Sequence, residues 1–138
     1  LIPIPMKLHV NCDGGSRGNP GPAAIGLVIR KEDETILYEY REAIGEATNN
    51  EAEYQSVIKA LEFALGYDPE SVTVEMDSEL IVKQLNGEYS VNADHLQGLH
   101  AEVESLLGDV PVRFEHVSRE TDWQQLADDL VNEALDAQ

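Results

Sequence analysis

Hydrophobic and polar residues alternate from Lys7 to Asp13, with Leu8, Val10 and Cys12 on one side and His9, Asn11 and Asp13 on the other. A period of two is that of a strand. Gly14–Pro22 (GGSRGNPGP) follows as a turn-rich loop, since glycine, asparagine and proline supply the backbone angles that turns need. Ala24–Arg30 and Ile36–Ala43 flank the polar KEDET and predict a hairpin. Thr48 with Glu51 three residues later has the form of a helix capping box. Behind it Tyr54, Val57, Ile58, Leu61, Ala64 and Leu65 recur at helical spacing. Val72–Asp77 alternates again as a strand, and a short helix over Ser78–Leu85 stops at Asn86-Gly87. A third helix is expected over His95–Leu107, a fifth strand over Val110–Val117 and a last helix over Trp123–Ala137.

The order β-β-β-α-β-α-α-β-α predicts an α/β protein. Its five-stranded sheet is mixed, antiparallel in the first three strands and parallel afterwards, with flanking helices. A chain of 138 residues fits one domain, taken as residues 6–138. Leu1–Pro5 is set aside as upstream or added sequence, with Met6 as a natural start. No apolar run reaches the roughly 18 residues of a membrane span, and LIPIPM lacks the basic stretch of a secretory signal. The single cysteine, Cys12, excludes an internal disulfide and fits a reducing cytoplasm.

Charge complicates any functional reading. Twenty-seven acidic residues against nine basic ones leave a net −18. Phosphate contacts dominate nucleic-acid affinity, so this balance taken alone argues against a nucleic-acid enzyme. Bound divalent cations would invert the local field, and a high-salt habitat would screen the self-repulsion.

Three acids occupy positions that folding alone would not choose. Asp13 and Asp77 each end a strand, on the face opposite the apolar residues. If the two strands are parallel neighbours, both carboxylates emerge where open α/β sheets place their ligands. Glu53, four residues before Val57, heads the apolar stripe of the first helix rather than its solvated side. Carboxylates brought that close repel one another and retain protons, and a hard cation such as Mg²⁺ or Mn²⁺ is their natural partner. With so many acids in the chain, a strand-ending turn residue remains the plainer alternative.

The segments VNCDGGSRGNPGPAAIG, GEATNNEAEYQSVIKAL, MDSELIVKQLNGEY and ADDLVNEAL resemble, in order, the blocks of type 1 ribonuclease H, in its compact bacterial and archaeal branch. The resemblance covers Met6–Ala137 and implies the ribonuclease H-like fold. It also implies an endonuclease that hydrolyses the RNA strand of RNA–DNA hybrids by two-metal catalysis, leaving 5′-phosphate and 3′-hydroxyl ends. The four metal-holding carboxylates of the family fall on Asp13, Glu53, Asp77 and Asp128, with two Mg²⁺ per site and Mn²⁺ as a substitute. Relatives read RExNxxADxLAN where this chain reads RETDWQQLADDLVN. The two extra residues leave Asp129 and Asp122 as alternatives to Asp128, which is favoured because the family spacing resumes there.

The resemblance places substrate contacts at Gly14, Asn19, Asn49, Asn50 and Glu79, with Thr48 on a DNA phosphate and Arg119 near the scissile phosphate. Short amides and close backbone approach suit the recognition of 2′-hydroxyls in a shallow minor groove. The basic binding handle of long-form relatives is absent, since Gly87–Gly108 holds no Lys or Arg. His116 alternates with Phe114 and is expected to pack in its strand. Trp123 is expected to anchor the start of the last helix. His9 shares the strand face of Asp13 but lies about 13 Å away at strand rise. The expected partner is the hybrid duplex, acting on a monomer with no membrane. The rival readings are a non-catalytic hybrid-binding module, a DNA-cutting nuclease of related fold and a plain acidic cation-binding domain.

Overall fold

A computed structural model describes residues 6–138; the reading of Leu1–Pro5 lies outside the described residues. Three long strands come first: β1 (Lys7–Ser16), β2 (Gly21–Lys31) and β3 (Ile36–Ala47). They are followed by α1 (Asn49–Leu65), β4 (Ser71–Met76), α2 (Glu79–Leu85), α3 (Asp94–Leu106), β5 (Val112–His116) and α4 (Asp122–Asp136). The sheet order is β3-β2-β1-β4-β5, with β1, β2 and β3 antiparallel and β1, β4 and β5 parallel. The element order and the mixed sheet are those expected from the residue pattern.

The boundaries differ in one informative place. β1 does not stop at Asp13, and the glycine-rich loop is shorter than its composition suggests. Antiparallel pairing with β2 continues through Ser16↔Ala23, leaving only residues 17–20 as the turn. Parallel pairing with β4 ends earlier, at Asn11↔Glu75. Asp13 therefore stands two residues past the last β1–β4 pair while its own strand is still held by β2.

Each face of the sheet is covered for a legible reason. Leu8, Val10 and Cys12 of β1 join Val72, Val74 and Met76 of β4 under Tyr54, Val57 and Leu61 of α1, with Ile81, Leu96 and Val103 from α2 and α3 closing the same core. Helix α1 begins where the sequence says it must. Thr48 Oγ1 accepts from the Glu51 N–H at 3.1 Å, and Glu51 Oε1 accepts from the Thr48 N–H at 2.8 Å, so two otherwise unpaired donors are satisfied. On the opposite face lies α4, close against β2. A Cβ at Gly26 would meet the Ala127 carbonyl oxygen at 2.5 Å and Leu130 Cβ at 2.8 Å. Burial on both faces makes β1 the centre of the molecule, and its polar residue Asn11 is 1% exposed. Among the described residues, no helix is long and apolar enough to cross a membrane.

Candidate active site

The fold gathers three of the expected acids at one end of the central strands. Asp13 on β1, Glu53 on α1 and Asp77 immediately after β4 each offer a carboxylate oxygen, and these oxygens all lie within 4.8 Å of one another. Asp13 and Glu53 are buried and Asp77 is half-buried. Glu53 reaches the trio because it sits on the inward face of α1 one turn before Val57, as its spacing predicts. The Gly14 N–H donates to Glu53 Oε1 at 2.5 Å and fastens the helix to the strand.

The electrostatics of the trio follow from that crowding. Burial, then the charge of Glu53, pushes Asp13 up from its ordinary 3.8 to about 10, with Asp77 and contact with Asp128 adding to the shift. Burial likewise pushes Glu53 up to about 7, against the opposing contact with Asp13 and the Gly14 N–H. Asp77 is raised by burial, with Arg119 pulling the other way. At neutral pH the Asp13–Glu53 pair thus shares a proton unless a cation replaces it. Closely set oxygen donors, buried and short of positive charge, fit a hard divalent ion.

These acids open into a cleft of about 430 Å³, lined also by Gly14, Asn49, Asn50, Arg119 and Asp128. Asp128 faces it from α4, whereas Asp129 and Asp122 are exposed and do not line it. The geometry therefore brings Asp128, not its two alternatives, to the trio. Ser16, Arg17, Ser78 and Asn132 complete the polar lining. Asn132 Nδ2 donates to the Asp128 carbonyl at 3.2 Å.

Asn19, Thr48 and Glu79 do not line the cleft. Asn19 stands behind its rim, where its Oδ1 accepts from the Asn49 N–H at 3.0 Å while Asn49 Oδ1 accepts from the Ser16 N–H at 2.8 Å. Thr48 is occupied as the α1 cap. Glu79 opens α2 and pairs with Lys83 at 2.8 Å. His116 departs from expectation: it is exposed, because β5 is an edge strand in which only Phe114 is buried. It lies beside Met76 at the strand end, close to Asp77. Trp123 is half-buried, as an anchor should be, with the Arg30 guanidinium over its ring at 4.7 Å.

Comparison with known proteins places this geometry. A family model described as reverse transcriptase-like matches residues 11–134. The structure of a foamy viral protease-reverse transcriptase with an RNA/DNA hybrid aligns at a TM-score of 0.72 over 96% of this chain and 20% of that one; at 20% identity this shows the fold alone. The fold is that of the ribonuclease H-like class. Within it, the crystal structure of RNase H1 from the halophilic archaeon Halobacterium salinarum is 41% identical, with a TM-score of 0.90 over 96% of this chain and 99% of that one. LC11-RNase H1, solved in complex with RNA/DNA hybrid, is 41% identical, with a TM-score of 0.88 over 94% and 97% of the two chains. The chain belongs to the ribonuclease H family, in its type 1 branch. It spans 65% of the length of the curated ribonuclease HI of Halobacterium salinarum, to which it is 42% identical over 94% of its own length. It spans 36% of a bifunctional protein of Mycobacterium tuberculosis, 40% identical over 96% of its own length.

Proposed function

We propose that residues 6–138 form one catalytic domain, an endoribonuclease that hydrolyses the RNA strand of RNA–DNA hybrids and leaves 5′-phosphate and 3′-hydroxyl ends. The observation that carries this reading is the convergence of Asp13, Glu53, Asp77 and Asp128 on one cleft in a family whose relatives are named for this activity. Asp13, Glu53, Asp77 and Asp128 would hold two Mg²⁺, or Mn²⁺. Bound there, the ions would activate water and stabilise charge on the attacking and leaving oxygens.

The chain's own residues bind and orient the duplex. Asn19 and Asn49 spend their Oδ1 atoms on the backbone of the rim, so each presents its Nδ2 hydrogens to acceptors such as 2′-hydroxyls. Asn50 and the bare backbone of Gly14 extend that surface. Thr48 Oγ1 accepts from Glu51 and keeps its own hydroxyl proton for a DNA phosphate oxygen. Arg119 lines the cleft beside Asp77, where a guanidinium can hold the scissile phosphate. A contact at Glu79 requires the duplex to extend past the start of α2. The enzyme acts as a monomer in a reducing cytoplasm, where buried Cys12 stays a thiol.

Labelled RNA–DNA, RNA–RNA and DNA–DNA duplexes incubated with Mg²⁺ or Mn²⁺ test the reading. Cleavage confined to the RNA strand of the hybrid, with 5′-phosphate ends, is expected. Binding without cleavage would point to the non-catalytic module, and cutting of the DNA duplex to a DNA nuclease.

A further inference from the structure

Three of the four acids share an arrangement that the cleft itself does not explain. One structural repeat behind each stands a polar residue that joins a buried hydrogen-bonded group. Asn11 precedes Asp13 by two positions on β1, Glu75 on β4 precedes Asp77, just past that strand, by two, and Gln124 precedes Asp128 by four on α4. These residues form one layer. Gln124 Oε1 accepts from Asn11 Nδ2 at 3.0 Å, and Gln124 Nε2 donates to the Cys12 carbonyl at 2.9 Å. Arg30 donates to Asn11 Oδ1 and, at 3.1 Å, to Glu75 Oε1, with Trp123 covering its guanidinium.

Gln124 is fully buried with both ends of its amide engaged. Apolar packing is non-directional, whereas a buried polar layer is satisfied in one register and leaves unpaired groups in any other. Helix α4 needs such a constraint. Its N-cap, Thr121, makes no side-chain cap bond, and its buried apolar residues (Ala127, Leu130, Val131, Ala134 and Leu135) all lie C-terminal to Gln124. Adjacent helix positions point about 100° apart, so a one-residue roll would turn Asp128 out of the cleft.

We propose that Gln124 is a positioning residue. Through Asn11 it fixes the roll and advance of α4 that bring Asp128 to Asp13, and Arg30 and Glu75 extend the same constraint to the strand that delivers Asp77. The inference rests on the assignment of Asp128 to the catalytic site.

Gln124→Met keeps length and volume but removes both hydrogen bonds. Hybrid-cleavage kcat is expected to fall about 10–100-fold, the usual effect of removing a residue that orients a metal ligand, with KM for the hybrid shifted by no more than about threefold. Mn²⁺ binding followed by calorimetry without substrate should weaken at the same ion that Asp128→Asn weakens. Combined with Asp128→Asn, the substitution should add no more than about twofold to the loss, because both act through one carboxylate. A merely structural role would give additive losses and unchanged Mn²⁺ binding, and either result overturns the proposal. If Gln124→Met melts below the assay temperature, Gln124→Asn, which keeps the amide on a shorter stem, carries the same expectations. An Asp128→Asn variant with full turnover would overturn the assignment of Asp128. An inactive Asp128→Asn beside a fully active Gln124→Met would overturn the positioning role alone.

Discussion

The backbone N–H of Gly14 donates to Glu53 Oε1 at 2.5 Å, so the residue after Asp13 is tied to the carboxylate that Asp13 faces. The approach depends on the missing side chain. A Cβ on Gly14 would lie 2.3 Å from the Ala52 carbonyl carbon and oxygen and 2.6 Å from the Glu53 nitrogen. Those are helix backbone atoms and cannot swing aside.

Gly14→Ala must therefore push α1 away from β1 and draw Glu53 from the trio. The overpacking should cost about 1–3 kcal/mol, read by urea unfolding, and turnover should fall about tenfold or more. At Gly15 a Cβ meets only Val131 Cγ1 at 3.5 Å, so Gly15→Ala should leave stability nearly unchanged. Equal stabilities for the two variants would show that α1 has room to move.

Asp13→Asn should abolish cleavage and stabilise the cation-free protein. Asp13 and Glu53 stand at about 10 and about 7, against ordinary values of 3.8 and 4.5. Above the ordinary values the unfolded chain has released protons that the folded one retains, so stability falls as pH rises. This contribution is whole below about pH 4 and is lost as pH climbs through the two raised values, at no more than about 1.4 kcal/mol per pH unit for each proton. In EDTA the wild-type melting temperature should decline from pH 5 to about pH 9, and either Asp13→Asn or excess Mg²⁺ should flatten that decline. An unchanged slope in the mutant would remove the shared proton from the account. Turnover above about a tenth of wild type would remove the catalytic role.

Much of this was legible in the sequence because it follows local rules. The alternation around Val10 and the Thr48–Glu51 box are signals carried within a few residues, and they set β1 and the start of α1. The inward position of Glu53 followed from its spacing to Val57. What stayed hidden depends on what covers each face. Asn11 alternates like a solvent-facing residue, and only the arrival of α4 buries it against Gln124. His116 alternates like a packed residue but lies at an uncovered edge. The extent of β1 was masked by glycines, whose composition reads as a turn although β2 pairs with them through Ser16.

The fourth carboxylate is separable by substitution. Asp128 lines the cleft and touches the Asp13 environment, whereas Asp129 is exposed on the next position of α4. Asp128→Asn should lower hybrid-cleavage kcat by about two orders of magnitude or more, and Asp129→Asn should change it by less than about threefold. Steady-state rates at saturating Mg²⁺ decide between them. The opposite ranking would mean that the two extra residues before α4 shift its register in solution.

Salt should stabilise this protein while weakening its substrate binding only gently. A net −18 on 138 residues is self-repulsion, and the screening length shrinks from about 10 Å at 0.1 M to about 3 Å at 1 M. Surface pairs such as Arg41–Glu133 and Lys83–Glu79 contribute at most about 1 kcal/mol each. Melting temperature should therefore rise from low to molar KCl at fixed excess Mg²⁺. Nucleic-acid affinity ordinarily falls with salt at about 0.9 counterion per phosphate contact. Few cations here can make such contacts. Arg30 is buried in the polar layer, Arg17 is held by Asp136 at 2.6 Å, and Arg119 is the one arginine in the cleft wall for which no ion pair occurs among the described residues. The slope of log affinity against log salt should thus stay near −1 to −2, roughly one for each of Arg119 and Arg17. Arg119→Ala should reduce it by about one. A melting temperature that falls with KCl would show that self-repulsion does not limit stability. A slope of about −5 or steeper would show that cations outside the cleft carry the duplex.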